Sequence, residues 1–256
     1  MKDLFSVEGK VALVTGGTRG IGLMMARGLV EFGAKVYVAS RKAEACEAAA
    51  KELSRYGTCI GIPASLGSDE GCRALAAEIA EREPALHVLV NNAGANWGAP
   101  IDEYPDDAWD KVLALNVKAI FHLTRALRPQ LEAAASHEDP ARVINVGSID
   151  GLQVPAMETY AYSASKAAVH HLTRTLARRL APGHVTVNAV APGPFQSKMM
   201  AATLDAFEDA IVASCPMGRI GVPDDMAGIA VYLSSRAGAY LTGTVIPVDG
   251  GISTLK

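Results

Sequence analysis

Tyr162 and Lys166 stand four residues apart, the separation that puts two side chains on one face of a helix, one turn apart. A phenol titrates near ~10 in isolation, and a neighbouring positive charge favours its anion. The pairing therefore predicts a Tyr162 hydroxyl more acidic than usual. Ser148 follows the apolar run 142–147, which reads as a strand. Its hydroxyl then falls at the strand's C-terminal end, where open α/β sheets bind ligands. A hydroxyl donor, a tunable phenol and a lysine together suit proton transfer to a carbonyl oxygen. Tyr160 lacks such a partner: four residues on lies Ala164 rather than lysine, so pocket lining or packing is its expected work. A tyrosine and a lysine at this spacing also occur on ordinary surface helices, and their meaning rests on the elements that position them.

Those elements alternate strand and helix along the whole chain, the sign of a parallel sheet covered on both faces. Strands are expected over 10–15, 35–40, 58–62, 87–91, 142–147, 184–190 and 244–248. Helices are expected over 21–32, 43–55, 69–81, 160–180 and 223–234. A longer helical pattern runs over 106–134, interrupted near its end by Pro129. The polar stretch 135–140 reads as a surface loop. Pro192-Gly-Pro194 opens an irregular excursion at about 194–215, longer than an ordinary connection and expected to act as a substrate lid. Its apolar residues, Phe195, Met199, Met200, Leu204 and Phe207, suit an acyl chain, though Met and Phe at helical spacing also build cores.

The turn Thr15-Gly-Gly-Thr-Arg-Gly-Ile-Gly22 lies between the first strand and the first helix. Glycines there allow a tight turn and close backbone approach, and a helix N-terminus favours a pyrophosphate. Gly16, Thr18, Arg19, Gly20, Ile21 and Gly22 are accordingly candidate dinucleotide ligands. An NAD site wants Asp or Glu at the end of the second strand to accept from the ribose hydroxyls. This chain has Ala39-Ser-Arg41 instead. Arg19 and Arg41, without a competing carboxylate, suit a 2′-phosphate, so the cofactor expected is NADP, with Ser40 and Arg41 beside it.

Composition narrows the partners. Of 256 residues half are hydrophobic, enough for one sizeable core, and the net charge of −3 gives no reason to expect nucleic acid. Four scattered cysteines, Cys46, Cys59, Cys72 and Cys215, lack metal or disulfide spacing and read as buried thiols of a reducing cytoplasm. His170 and His171 have no carboxylate or cysteine at ligand spacing, so packing or a subunit contact is expected of them and no metal. No stretch approaches a membrane span, and the expected location is cytoplasmic.

Taken in order, the glycine turn, Asn91-Asn-Ala-Gly94, Asn116, Ser148, Tyr162-x-x-x-Lys166, Pro192-Gly193 and Val248-Asp-Gly-Gly251 resemble the short-chain dehydrogenase/reductase family over the whole chain. The resemblance implies a single Rossmann-type domain, residues 1–256, with a doubly wound seven-stranded parallel sheet, and a homotetramer. It makes Tyr162 the proton donor or acceptor and has Lys166 hold the nicotinamide ribose and lower the Tyr162 pKa. Ser148 bonds the substrate oxygen and Asn116 holds a relay water. Asn91, Asn92, Ala93, Gly94, Pro192 and Gly193 lie along the cofactor, and Ser197 stands where the family often has a threonine near the carboxamide.

Within the family, Gly147-Ser-Ile-Asp-Gly-Leu152 and Tyr160-Ala-Tyr-Ser-Ala-Ser165 resemble the 3-oxoacyl-thioester reductases, those of rhamnolipid synthesis included. Two departures stand out. The third strand ends in Pro63-Ala-Ser65 rather than an adenine-side Asp. The places where acyl carrier protein docks on fatty-acid-synthesis enzymes read Leu131-Glu-Ala-Ala134 and Ala181-Pro-Gly-His184, without the usual basic residues. Reduction of a 3-oxoacyl thioester is the leading expectation, with a secondary-alcohol, sugar or steroid dehydrogenase as the alternative on the same scaffold. A cofactor-sensing protein without catalysis is a third class, disfavoured by the intact Ser148, Tyr162 and Lys166. Apolar residues on several helix faces (Val112, Leu115, Ile120, Leu123, Val169, Leu172 and Leu176) are expected to pair subunits.

Overall fold

Strands with no polar face can be stable only between two layers of helices, and that is how the chain folds. The computed structural model describes residues 3–197 and 200–254, with the backbone alone for 201–205. Seven strands pair in parallel: β1 (Val11–Thr15), β2 (Lys35–Ser40), β3 (Cys59–Pro63), β4 (Val88–Asn91), β5 (Ala141–Val146), β6 (Val185–Pro192) and β7 (Val245–Val248). Their order in the sheet is β3-β2-β1-β4-β5-β6-β7. The chain winds outward from β1 to β3, then returns to place β4 on the other side of β1, opening a crevice beyond the carboxyl ends of those two strands.

Alternation along each strand divides the core. Ala12, Val14, Val36, Val38, Val88, Val90, Ile144 and Val146 face helices α1 (Gly20–Glu31), α2 (Ala43–Leu53) and α9 (Pro223–Ser234). The residues between them, Leu13, Tyr37, Leu89 and Val143, face the opposite layer. That layer is built from α3 (Asp69–Arg82), α5 (Ala119–Ala126), α6 (Arg128–Ala134) and α7 (Tyr160–Leu180). Each large side chain so buried contributes about 2 kcal/mol. Gly28 lets α1 approach α9 closely: a Cβ there would meet the Ala227 Cβ at 2.7 Å.

The pattern over 106–134 is not one helix. α4 (Asp106–Leu113) runs into a π-helical turn, Ala114–Lys118, before α5 begins, and Leu127 separates α5 from α6. The extra residue per π turn rotates the helix beyond it, a feature that hydrophobic spacing does not announce. The stretch after Pro194 is also more regular than expected, since Ala201–Ser214 forms helix α8, kinked at Phe207. Phe195 belongs to the core, 2% exposed, with its ring against Gly221, and does not line an acyl pocket. Met199 and the side chain of Leu204 lie outside the described residues. Val112, Ile120, Leu123, Val169 and Leu176 are buried within the chain itself, so they are not the subunit surface that their spacing suggests.

The loop over 135–140 does more than cover surface. Asp139 accepts from Lys10 Nζ at 2.6 Å and from Arg142 Nη2 at 2.9 Å. Arg142 is 1% exposed and also donates to the carbonyls of Leu233 and Ser235, tying β5 to the end of α9. Removing one partner of such a pair strands the other charge and two carbonyls. Arg142→Leu is therefore expected to destabilise the fold by about 3 kcal/mol, seen as a lower urea midpoint with an unchanged slope.

Candidate active site

Four segments meet at the carboxyl ends of β1, β4 and β5: the glycine turn, the extension of β4, the turn after β5, and the start of α7. The glycine turn is held from below by Thr15. Its hydroxyl donates to the Val90 carbonyl at 3.2 Å and accepts from the amides of Asn92 and Ala93 at 3.0 and 3.1 Å. Asn92 completes the brace, its amide donating to the carbonyls of Thr15 and Gly16 at 2.9 and 3.1 Å. Gly16 and Gly20 both adopt positive φ, of 63° and 53°. At Gly22 a Cβ would run into the Asn92 side chain and lie 2.5 Å from the Gly16 carbonyl oxygen.

Above this turn α1 presents a first turn free of acidic residues. Thr18, Arg19, Gly20 and Ile21 lie at its mouth. Arg41 follows Ser40 from the end of β2. Arg19 and Arg41 are both exposed, and neither has an ion-pair partner among the described residues. Pro192 and Gly193 close β6 against β7, where a Cβ on Gly193 would meet the Asp249 backbone at 2.8 Å. The chain then passes over the turn, with Ser197 Cβ 3.3 Å from where a Gly20 Cβ would be.

The two asparagines of Asn91-Asn-Ala-Gly94 part company, because neighbouring strand residues face opposite sides. Asn91 does not lie along the crevice. It is 4% exposed and donates to Asn145 Oδ1 at 2.9 Å and Thr124 Oγ1 at 3.3 Å, and Asn145 in turn donates to Thr173 on α7. Asn92 reaches the glycine turn and shapes it, leaving Ala93 and the exposed Gly94 to border the crevice itself.

Asn116 sits in the π-helical turn, 1% exposed, with both ends of its side-chain amide engaged. Oδ1 accepts from the Ala95 amide at 2.8 Å, while Nδ2 donates to the Ala95 carbonyl and to Ser165 Oγ, both at 2.9 Å. Ser165 passes the link on, donating to the Tyr162 carbonyl at 2.6 Å. Both amide protons of Asn116 are thus spent, and its oxygen holds the Ala95 amide. Through Ser165 it also holds the start of α7.

On α7, Lys166 is almost wholly buried. Its ammonium donates to the Val146 carbonyl at 2.8 Å and lies 5.4 Å from the centre of the Tyr162 ring. Burial lowers Lys166 to about 8, opposed by the charge of Asp150. The Tyr162 phenol moves opposite to the expected direction. Burial of its hydroxyl pushes it up to about 12, Asp150 adds to the rise, and only the hydrogen bond with Ser148 works against it. Desolvation sets the direction here, and it favours the phenol as a neutral donor. Ser148 accepts from the Asp150 amide at 3.1 Å, which leaves its own hydroxyl proton for another acceptor.

His170, one turn beyond Lys166, supports the site although nothing in its spacing marks it. It is 3% exposed and held neutral, burial being the main cause. The turn carrying Ser148 is draped over its ring. A Cβ on Gly147 would collide with Nε2, and one on Gly151 would meet Cε1 at 2.8 Å. All four cysteines are buried and unpaired; burial raises Cys59 to about 12 and Cys72 to about 11. No helix of the described residues is long and apolar enough to cross a membrane.

A tyrosine, a serine and a lysine beside a glycine-rich crevice describe a proton-transfer centre next to a dinucleotide. A family model described as short chain dehydrogenase matches residues 10–207. The chain belongs to that family. It is 50% identical to the rhamnolipids biosynthesis 3-oxoacyl-[acyl-carrier-protein] reductase of Pseudomonas aeruginosa, over 98% of this chain and 99% of that protein. The 5-keto-D-gluconate 5-reductase of Escherichia coli K12 is 34% identical over 98% of each. Among solved structures, the Pseudomonas aeruginosa RhlG/NADP active-site complex superposes with a TM-score of 0.96 at 49% identity, over 99% of this chain and 100% of that one.

The packing of the Ser148 turn on His170 has a consequence for rate. Gly147→Ala should push Ser148 out of line and lower turnover about 10²-fold, the scale of a displacement near 1 Å. The double variant Gly147→Ala/His170→Ala should recover part of that loss, because the obstructing ring is gone. Steady-state nicotinamide oxidation compares the three proteins.

Proposed function

We propose that this protein is an NADPH-dependent reductase that converts a 3-oxoacyl thioester to the 3-hydroxyacyl thioester and feeds a glycolipid such as a rhamnolipid. The observation that carries the reaction type is the meeting of Ser148, Tyr162 and Lys166 beside the glycine turn. The substrate class rests on the near full-length likeness to the rhamnolipid reductase, well above the likeness to the sugar reductase.

The residues fit a dinucleotide bearing an extra phosphate. Glycines clear the turn for its backbone, α1 offers a helix start without acids, and two exposed guanidiniums stand unpaired among the described residues. Gly16, Thr18, Gly20, Ile21 and Gly22 would hold the pyrophosphate, and Arg19, Ser40 and Arg41 the 2′-phosphate. Asn92, Ala93, Gly94, Pro192 and Gly193 would flank the remainder. When bound, the reduced nicotinamide supplies a hydride to the carbonyl carbon.

The chain's own residues handle the oxygen. Ser148 donates its free proton to it, and Tyr162 donates and finally gives up the phenolic proton as the alkoxide forms. Each donor is worth a few kcal/mol, about 3, in the transition state. Lys166 spends one proton on Val146 and keeps two for ribose hydroxyls, where its charge offsets the phenolate left behind. Because both Asn116 amide protons are committed, a relay water would be held by an Asn116 oxygen, in the π-helical turn.

The carrier is favoured to be other than the usual acidic protein. Arg128 is paired with Glu132 at 2.6 Å, and Glu132 lies within 3 Å of the space beside Gly183, so an acid occupies both docking places. The excursion at about 194–215 acts as the lid, and the assembly is a homotetramer, whose contacts would cover Ile101 and Phe121, exposed here at 68% and 42%. Static light scattering that finds only monomer at micromolar protein removes the tetramer.

Two expectations test the core of the proposal. NADPH should bind well over tenfold tighter than NADH, since a lost bidentate phosphate contact costs about 2 kcal/mol, and Arg41→Asp should erode or reverse the preference in a fluorescence titration. Tyr162→Phe should keep NADPH affinity but lose at least about 10²-fold in the rate of 3-oxoacyl thioester reduction, whereas Tyr160→Phe stays within severalfold. Near-normal turnover by Tyr162→Phe would show that another group passes the proton.

A further inference from the structure

A cavity of about 790 Å³ lies between the segment around Tyr104 and Trp109, the loop from Gln153 to Thr159 and the first two turns of α7. Sites for small molecules have volumes of roughly 300–1,000 Å³. On α7 the cavity touches Tyr160, Ser163, Ala164 and Ala167, whose spacing is that of one helix face, while Tyr162 and Lys166 project from another. Neither Ser148 nor Tyr162 is among its walls, although Asp150, two residues after Ser148, is.

Three aromatic rings border the space. Tyr104 stands edge to face with Tyr160, ring centres 5.3 Å apart at 82°, and with Trp109, 6.1 Å apart at 64°. No ring is stacked flat on the next, so ring faces, the negative side of an aromatic quadrupole, are left to border the cavity. The arrangement is held from outside it. The Tyr104 hydroxyl accepts from the Ala161 amide and donates to the Trp97 carbonyl, both at 3.3 Å, and the Ala99 amide donates to the Glu158 carbonyl at 3.3 Å.

The polar groups on the walls are acceptors in excess. Asp150 and Glu158 line the cavity, and among the described residues no lysine, arginine or histidine does. Gln153 Oε1 is buried there without a hydrogen-bond partner. The hydroxyls that could answer it are spent within the protein: Tyr160 donates to Glu158 at 2.7 Å, and Thr159 to the Met157 carbonyl at 3.4 Å. Negative charge extends to the rim. The Tyr160 hydroxyl is held above its usual pKa chiefly by its bond to Glu158, with burial and the charges of Glu158 and Asp102 adding to the rise. Lys111, two residues beyond Trp109, is turned over the Trp97 ring instead, 5.7 Å from its centre.

We propose that this cavity binds an organic cation with an apolar body, an alkylammonium whose charge meets the ring faces and the two acids and whose N–H groups answer Gln153. Rings and carboxylates attract the same sign of charge, and Pro155, Ala156 and Ala164 take the apolar body. An anion meets repulsion from both, and a neutral ligand forgoes the attraction. The site is read by binding alone, so it does not rest on the reduction proposed above.

Hexylammonium, hexanol and hexanoate share one apolar body and differ in charge, and hexylammonium is charged at neutral pH as a lysine side chain is. In Trp97→Phe, Trp109 is the one tryptophan left, and its fluorescence reports the cavity wall. Hexylammonium should saturate at one per chain with a dissociation constant below about 1 mM. Hexanol should bind at least about tenfold more weakly, and hexanoate more weakly still. Calorimetry on the variants should show the cation weakened about tenfold by Tyr160→Leu, which removes a ring, and severalfold by Glu158→Gln, while Tyr160→Phe stays near wild type. Hexanol that matches hexylammonium overturns the inference. So does a cation that fails to saturate, whether the walls reject it or a second subunit fills the space. If Tyr160→Leu does not fold, Glu158→Gln, which keeps the shape, decides with the charge series: hexylammonium affinity untouched by it places the cation elsewhere and overturns the site.

Discussion

The amide of Asn116 is the tie on which the centre depends. Three hydrogen bonds leave it, two to the Ala95 backbone beyond β4 and one to Ser165 on α7. In a space closed to water an amide has no alternative partners, so losing any one of these bonds would leave a buried donor or acceptor exposed to the full cost of desolvation. The π-helical turn is what aims this side chain inward. Through it the floor of the crevice, the kinked helix and the start of α7 hold one geometry, and Tyr162 inherits its place from them.

Much of this is written plainly in the sequence. Strand and helix periods locate all seven strands, and the glycine turn, Ser148 and the tyrosine–lysine pair fall together at the sheet's carboxyl edge as their spacing requires. The differences share a cause. The resemblance puts Asn91, and residue type puts Phe195 and the apolar set around Leu123, in the wrong surroundings, because the face a side chain takes depends on register and packing that only the fold supplies. The π-helical turn leaves no trace in periodicity, and for His170 packing is legible but not the Ser148 turn that it supports. The direction of the Tyr162 shift escapes the sequence because the positive neighbour is visible there while the depth of burial is not.

Substrate choice lies on a different level from chemistry. The proton-transfer centre treats every carbonyl alike, and the same scaffold serves sugar and acyl reductases among its relatives. What distinguishes them must come from the walls. Here these are the segment around Tyr104 and Trp109, the loop from Gln153 to Thr159 and the N-terminal turns of α7, which enclose the cavity that Asp150 lines. That cavity is mostly apolar, with Asp150 and Glu158 as its two acids, an arrangement that tolerates a chain and penalises a further negative charge.

The strand order carries a consequence for how the molecule is made. β1 cannot complete its pairing until β4 is available, with Ala12 waiting for Val88 and Val14 for Val90. β5 must likewise wait for β6 across the whole of α7, as Ala141 pairs with Val185. Contacts so distant along the chain close slowly, and until they do, apolar strand edges stand open. On the ribosome the N-terminal third, β1 to β3 with its helices, is synthesised with one flank of β1 bare. The crevice that gives the enzyme its chemistry is thus also the seam at which a half-made chain is most exposed to association with another.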